Sequence, residues 1–527
     1  MRSGALLAAM ICAAGSAAAQ PAFEDLSGAL PPHVYSGGWE HYVGGGVAVL
    51  DCDDDGWPDL FAAGGEAPAL LLRNATAAPG AALAFEALET PPLTGVTGVY
   101  PLDMDADGVL DLFVLRAGPN LALRGLGGCR FEDATAAWGI DPGDGWSTAF
   151  SATWEPGAER PTLAVGNYVD RDDPEGPFGA CDTHRLLRPG PGGYRAEQIA
   201  PGYCTLSMLF TDWSGDGRAD LWISNDRHYY VRDGQEQLFR ITPSLKEYGP
   251  QDGWQPYKLW GMGIASRDLT GDGLPEVAVT SMADQKLFEL TGDGGPAYAP
   301  VAYDRGTTAH RPYTGDEGRP STGWHVQFGD VDNDGRDDLF IAKGNVDQMP
   351  DAAMRDPDNL LMQGADGRFV EAGGTSGIGS PERSRGAALT DLNRDGLLDL
   401  VVVRRRAPMG LYRNLTAGAG NWLSVALAQP GGNAFAVGAR IELEAGGKSR
   451  WREVQVGGGH AGGQAGPEHF GLGDAGAVRL RVRWPDGVLS DWAEAPANGH
   501  VLVRRGAGAS ISTEAPVPRP AVQPVSQ

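Results

Sequence analysis

The sequence predicts an all-β fold, a seven-bladed β-propeller followed by a small C-terminal β domain, and three observations carry that prediction. An acidic nine-residue pattern recurs at intervals near sixty residues, each copy runs directly into a short apolar strand, and glycine is abundant. The 78 glycines among 527 residues are about 15% of the chain, twice the ~7% norm, and with 38 prolines they supply turns at a density suited to short strands. They follow no three-residue period, which excludes collagen, and 42% hydrophobic residues is too many for general disorder. Beyond the N-terminus no apolar run approaches the ~18 residues needed to span a bilayer. With 68 acidic against 42 basic residues, a net charge of −26, nucleic acid is excluded as a nonspecific partner and cations are favoured.

The chain opens with Arg2, an apolar stretch from Ala5 to Ala14 and the small residues Ala17-Ala18-Ala19, which read as a signal peptide over 1–19 cleaved before Gln20. Export to the periplasm or the extracellular space is expected. Cleavage removes Cys12 and leaves Cys52, Cys129, Cys181 and Cys204, an even number suited to an oxidising compartment. Three connectivities are open; the short span between Cys181 and Cys204 favours that pair and leaves Cys52 with Cys129. No C-x-x-C or nearby histidine pair supplies zinc-ligand spacing.

The repeats follow in order: DCDDDGWPD at 51–59, DMDADGVLD at 103–111, DWSGDGRAD at 212–220, DLTGDGLPE at 268–276, DVDNDGRDD at 330–338 and DLNRDGLLD at 391–399. The 109 residues between 103 and 212, against spacings of 52, 56, 62 and 61 elsewhere, mark a degenerate copy near 154, where Trp154 takes the first acidic position and TLAV keeps the strand. Six intact repeats and one degenerate repeat make seven. A second strand signal recurs downstream, as LLLRN at 70–74, LALRG at 121–125, NLLMQ at 359–363 and GLYRN at 410–414, and some lead into FED-like segments at 131–133 and 369–371. Short strands joined by Gly, Asp and Asn turns read as antiparallel blades, and radial closure covers their edges. A β-solenoid is the alternative, for which about fifty to sixty residues per turn is long. Phe23-Glu24-Asp25-Leu26 repeats the FED motif, whereas the last repeat passes from Asn414 straight into the next domain; the N-terminal segment is therefore expected to supply the missing strand of blade seven.

Within each nonapeptide, positions 1, 3, 5 and 9 offer oxygen ligands and the glycine at position 6 permits a sharp turn. Hard oxygen donors at this density suit calcium. The candidate ligands are Asp51, Asp53, Asp55 and Asp59; Asp103, Asp105, Asp107 and Asp111; Asp212, Ser214, Asp216 and Asp220; Asp268, Thr270, Asp272 and Glu276; Asp330, Asp332, Asp334 and Asp338; and Asp391, Asn393, Asp395 and Asp399. An EF-hand would need Glu at position 12 and flanking helices, but Ala62, Val114, Ile223, Val279, Ile341 and Val402 stand there, all in predicted strands. These positions hold 21 carboxylates, which would repel one another without cations; up to six Ca2+ ions would bring the formal charge from −26 to −14. Asp337, which falls between ligand positions, is expected to face solvent, and the blade 3 repeat is expected to hold no ion.

These loops and their strands resemble FG-GAP/VCBS repeats over roughly residues 22–418. The resemblance implies an integrin-α-like propeller with calcium in hairpins between strands. From Asn421 the acidic repeat stops. Asn421-Trp422-Leu423, Gly438-Ala439-Arg440, Gly457–Gly459, His469-Phe470-Gly471-Leu472-Gly473 and Trp484-Pro485-Asp486-Gly487 resemble the ASPIC/UnbV domain. The combination resembles the cartilage acidic protein 1 family and its bacterial relatives, which implies a secreted, calcium-binding, adhesive protein with no established enzymatic activity. The resulting division is a propeller over 20–418, a β domain over 419–506 and a disordered tail over 507–527.

Trp39, His41, Trp324 and His325 precede acidic loops and are read either as a cluster at one end of the central channel or as packing between blades. The GGG runs lack the strand-turn-helix context of a phosphate loop and read as turns or tight inner strands. Asn74 and Asn414 sit in N-x-T sequons. Two functions are expected: a calcium-stabilised binding or adhesion module for an extracellular protein or glycan, or an extracellular carbohydrate lyase or dehydratase using the channel. No Ser-His-Asp arrangement can be assembled from spacing, so no catalytic residue is assigned.

Overall fold

The computed structural model describes residues 19–174, 179–226, 234–292, 294–316, 318–347 and 349–514. Residues 1–18 of the expected signal peptide and residues 515–527 of the expected tail lie outside these.

Seven four-stranded antiparallel sheets follow one another, each a meander from its innermost to its outermost strand. Blade 1 comprises Val47–Leu50, Asp59–Ala62, Leu70–Asn74 and Phe85–Ala87; blade 2 comprises Val96–Leu102, Asp111–Arg116, Leu121–Gly125 and Phe131–Asp133. Blade 3 is Ser147–Thr153, Thr162–Asn167, His184–Gly190 and Gly193–Ile199, and blade 4 is Thr205–Thr211, Asp220–Asn225, Gln237–Arg240 and Lys246–Glu247. Blade 5 is Gly261–Arg267, Glu276–Ser281, Lys286–Leu290 and Tyr298–Pro300, and blade 6 is Gly323–Gly329, Asp338–Lys343, Asn359–Gln363 and Phe369–Glu371. Each innermost strand touches that of the next blade, and Ser384–Thr390 of blade 7 touches Val47–Leu50 of blade 1, which closes the ring. Inner strands such as Val96–Leu102 and Ser147–Thr153 are buried at every residue because neighbouring blades cover both faces.

Blade 7 joins Ser384–Thr390, Asp399–Arg404 and Gly410–Asn414 to Phe23–Asp25, with Phe23 opposite Asn414 and Asp25 opposite Tyr412. The N-terminal strand thus completes the last blade. Removing residues 20–30 should expose the edge of Gly410–Asn414 and lower the melting temperature rather than trim a loose end. An unchanged thermal transition would show that the closing strand is dispensable.

Residues 421–514 form a two-sheet sandwich. One sheet orders Glu468–Gly473, Asn421–Ala428, Gly499–Arg505 and Ile511–Glu514, and the other orders Lys448–Glu453, Arg440–Ala445, Ala477–Arg483 and Ala493–Pro496. Their shared core includes Leu423, Ile441, Phe470, Leu480, Trp484 and Val503. The expectation that disorder begins at 507 is corrected: Ile511–Glu514 pairs with Leu502–Arg505, so residues to 514 belong to the sheet.

Between Glu453 and Glu468 the sandwich sends a glycine-rich segment into the propeller axis. Backbone bonds tie it to the inner strands of five blades: Gly463 N donates to Val99 O (3.1 Å), Ala152 N to Val456 O (3.1 Å), Gly458 N to Met208 O (2.8 Å), Gly459 N to Ile264 O (2.6 Å) and Ala465 N to Val49 O (2.9 Å). The His460 N–H donates to His325 Nδ1 of blade 6 (3.1 Å), and a Cβ on Gly386 of blade 7 would lie 3.1 Å from His460 O. All seven blades therefore grip one plug. Glycine is required because a Cβ at Gly462 would stand 2.2 Å from Val47 O and one at Gly46 only 1.7 Å from Ala461 O. The 457–459 run is neither a simple turn nor an inner strand of a blade.

Candidate metal loops and the interdomain face

The six acidic loops share one shape and one place, joining the first and second strands of their blades, with position 9 opening the second strand. In every loop the position 1 carboxylate accepts the N–H of the position 6 glycine at 2.7–3.0 Å. Those glycines hold φ between +80° and +86°, which strains a side chain and explains the invariant Gly56, Gly108, Gly217, Gly273, Gly335 and Gly396. The position 5 carboxylate accepts the N–H of position 7 at 2.8–3.0 Å, an Asx turn. Position 9 accepts the N–H of position 2 at 2.7–3.0 Å in blades 1, 2, 5, 6 and 7. Blade 4 differs, for Asp220 accepts instead from Trp213 Nε1 (2.6 Å) and Tyr248 OH (2.8 Å).

Three loops bring carboxylates together: Asp51, Asp53 and Asp59, then Asp103, Asp105 and Asp111, then Asp330, Asp332 and Asp338, each set offering ligand oxygens within 4.8 Å of one another. The other three have Ser214, Thr270 and Asn393 at position 3, so a neutral oxygen replaces one carboxylate. Position 5 stands outside the gathered sets. The donor set fits a hard cation, since Asp53 Oδ1 and Asp332 Oδ2 are buried with no hydrogen-bond partner. Without a cation, burial pushes Asp51 up to about 7, Asp59 to about 8 and Asp103 to about 6, adjoining carboxylates push the same way, and backbone N–H donors only partly offset this. Burial likewise lifts Asp111 and Glu276 to about 7.

In blade 3 the corresponding hairpin carries Trp154 in place of the first carboxylate. Glu155 turns away to Arg188 and to the Thr162 hydroxyl (2.6 Å), and Arg160 lies over the Tyr194 ring at 4.8 Å.

The sandwich sits on the loop side of the propeller. Arg440 donates to Gly273 O, Arg450 Nε to Gly335 O (2.8 Å), His469 Nε2 to Asn333 Oδ1 (2.7 Å), and Asp212 N to Glu453 Oε1 (2.9 Å). Trp422 lies directly on Gly396, where even a Cβ would come within 1.9 Å of the indole. Asp337 is only 7% exposed and accepts from Arg452 NH2 at 2.8 Å, which overturns its expected solvent exposure. No sequence signal marked these partners, although Arg440, Trp422 and His469 fall in the quoted C-terminal motifs.

Of the Trp39/His41/Trp324/His325 group, the two tryptophans converge on one buried cluster, which holds Trp324 together with Trp146, while the two histidines turn to other partners. Trp324 is fully buried and donates to Gly344 O (2.6 Å), His325 faces the plug, Trp39 packs edge-on against Trp146, and His41 packs edge-on against Tyr35. Both sequon asparagines are buried: Asn74 Nδ2 donates to Leu392 O (2.9 Å) and Asn414 Nδ2 to Val331 O (2.9 Å), each tying a blade to the acidic loop of its predecessor. Cys52–Cys129 staples the blade 1 loop to blade 2, and Cys181–Cys204 joins blades 3 and 4. Among the described residues no helix is long and apolar enough to cross a membrane.

FG-GAP-like repeats match residues 51–114 and 268–341, and the ASPIC and UnbV family matches residues 429–510. Cartilage acidic protein 1 of Mus musculus is 23% identical over 521 residues, covering 90% of this chain and 75% of the relative. The Homo sapiens protein is 22% identical over 517 residues, with 90% and 74% covered. A crystal structure of BBS1N in complex with ARL6DN aligns over 76% of this chain and 99% of that one at 12% identity, with a TM-score of 0.45. The chain thus carries FG-GAP-like repeats and an ASPIC/UnbV domain and is a homologue of cartilage acidic protein 1 at about 23% identity over most of its length.

Proposed function

We propose that this is a secreted, calcium-stabilised binding module for an extracellular protein or glycan. The observation that carries the reading is the plug, because the channel where a propeller enzyme would work is filled by the protein's own chain. The Lys343–Asp356–Ser321 group resembles a catalytic constellation only on paper, since all three side chains are fully buried. Among the described residues a cleft of about 650 Å³ lies between the propeller and the sandwich, lined by Ser266, Arg267, Gln327, Gln455 and Glu468 together with apolar residues such as Phe435. Its amides and the Arg267–Glu468 pair, set among apolar walls, suit a ligand with both polar and apolar faces. Two disulfides accord with secretion. Calcium would be held by the position 1, 3 and 9 oxygens that the loops gather, and it supplies charge neutralisation that keeps the hairpins in shape.

Capture of extracellular proteins and glycan arrays, each probed with the full chain in calcium and in EDTA, test the reading. Calcium-dependent capture of a defined partner is expected. Turnover of a polysaccharide with product release would overturn it in favour of the lyase alternative.

Chelation should also lower the melting temperature, since free calcium at 100 times its dissociation constant contributes about 2.7 kcal/mol per independent site. The pH dependence has a definite sign. Carboxyls whose folded pKa is raised give the metal-free protein stability that is present below about pH 4 and is lost as pH rises toward 6–8. Calcium removes that loss, so the gap between melting temperatures in calcium and in EDTA should be wider at pH 8 than at pH 5.5. Histidines lowered by burial, such as His325 at about 4, titrate in both conditions and largely cancel from the gap. A gap that narrows from pH 5.5 to pH 8 would refute the loop assignment.

A further inference from the structure

We propose that Arg440 of the C-terminal sandwich is the cation of the blade 4 loop, so that Asp212–Asp220 takes up no calcium while the two domains are docked. The proposal rests on the calcium reading of the other loops and lowers the expected number of ions from six to five.

Several observations separate this loop from its sisters. The Arg440 guanidinium approaches Asp212 Oδ2 to 3.9 Å with side chains only 8% and 3% exposed, and it is fixed there by Gly273 O and by stacking 5.1 Å from the Trp451 ring. A Cβ on Gly215, inside the loop, would meet Arg440 NH1 at 3.2 Å, which shows how closely the guanidinium overlies it. Arg124, which pairs with Asp105 and Asp107 of the blade 2 loop, is by contrast 40% exposed.

The ligand set is also committed elsewhere. Asp220 is turned to Trp213 and Tyr248, Asp216 is paired with Arg218, and Ser214 supplies only a neutral oxygen, whose hydroxyl points to Asp212 Oδ1 at 3.4 Å. Like blades 2, 5 and 7, blade 4 has no counterpart among the described residues to the orphaned Asp53 Oδ1 and Asp332 Oδ2, so this feature favours cation uptake in blades 1 and 6. Calcium affinity follows ligand charge and geometry, and here both are already spent on the sandwich and on neighbouring side chains. Glu453 accepts from Asp212 N (2.9 Å) and Thr211 Oγ1 (2.8 Å), so a second sandwich side chain holds the start of this loop against the sandwich.

Equilibrium dialysis of the full chain against calcium, followed by metal analysis, tests this. Asp212→Asn should leave the ion count of the wild type unchanged, whereas Asp330→Asn should lower it by one. Arg440→Gln should raise the count by one in protein whose circular dichroism remains native. A one-ion loss with Asp212→Asn, or no gain in folded Arg440→Gln protein, overturns the assignment. Should Arg440→Gln fail to fold, the Asp212→Asn arm still decides. Absence of calcium from the wild type would instead overturn the calcium reading of all the loops.

Discussion

Asp337→Ala should destabilise the protein by about 3–5 kcal/mol, the cost of leaving a buried charge without its partner. Arg452 is 3% exposed, its NH2 donates to Asp337 Oδ1 at 2.8 Å, its NH1 to Trp451 O (3.0 Å) and its Nε to His469 O (3.3 Å). Burial already pulls this guanidinium down to about 10, so the folded state holds it charged at a cost that the aspartate offsets. The neighbouring Asp334→Ala removes a loop oxygen but no interdomain pair. Chemical denaturation of both variants in saturating calcium therefore separates two roles within one nonapeptide: a large loss from Asp337 and a small one from Asp334. Equal and small losses would show that the sandwich is not held by this pair.

Gly462→Val should unseat the plug, with a loss of roughly 3 kcal/mol or more, at the upper end for overpacking. The added Cβ would stand 2.2 Å from Val47 O and 2.8 Å from Val47 N, both backbone atoms of an inner strand that cannot move aside. Four residues on, Gly466 has nothing within 4 Å of its notional Cβ, so Gly466→Val is the matched control and should be neutral. Thermal melts of the pair, with limited proteolysis read across 455–465, provide the check. If both melt like the wild type, the segment is a passive filler of the axis and not a structural pin.

The nonapeptides were readable because their chemistry is local. The position 1 carboxylate bonds a glycine N–H five residues on, and position 5 bonds position 7, so residue identity and spacing within nine residues specify the hairpin. Blade closure was readable for a similar reason: Phe23-Glu24-Asp25 repeats a motif whose role is visible in other blades, and the last repeat lacks its own copy. Asp337, Arg440 and the plug were not readable, because each acts across more than a hundred residues. Asp337 meets Arg452 at a separation of 115, and Gly44 N meets the His460 ring at 416. Nor did the N-x-T pattern reveal that Asn74 and Asn414 are spent inside the ring, since a sequon is silent about burial.

By itself the sequence determined the all-β class, the repeat and the candidate oxygen ligands, all properties of short windows in which periodicity and turn chemistry act. The tertiary structure alone decided which face the sandwich covers, that its glycine-rich segment fills the axis, and which acidic residues face a neighbouring domain instead of solvent. The reason is physical: a hairpin is closed by bonds between near neighbours in the chain, whereas docking depends on where distant backbones come close enough to exclude a Cβ or desolvate a charge.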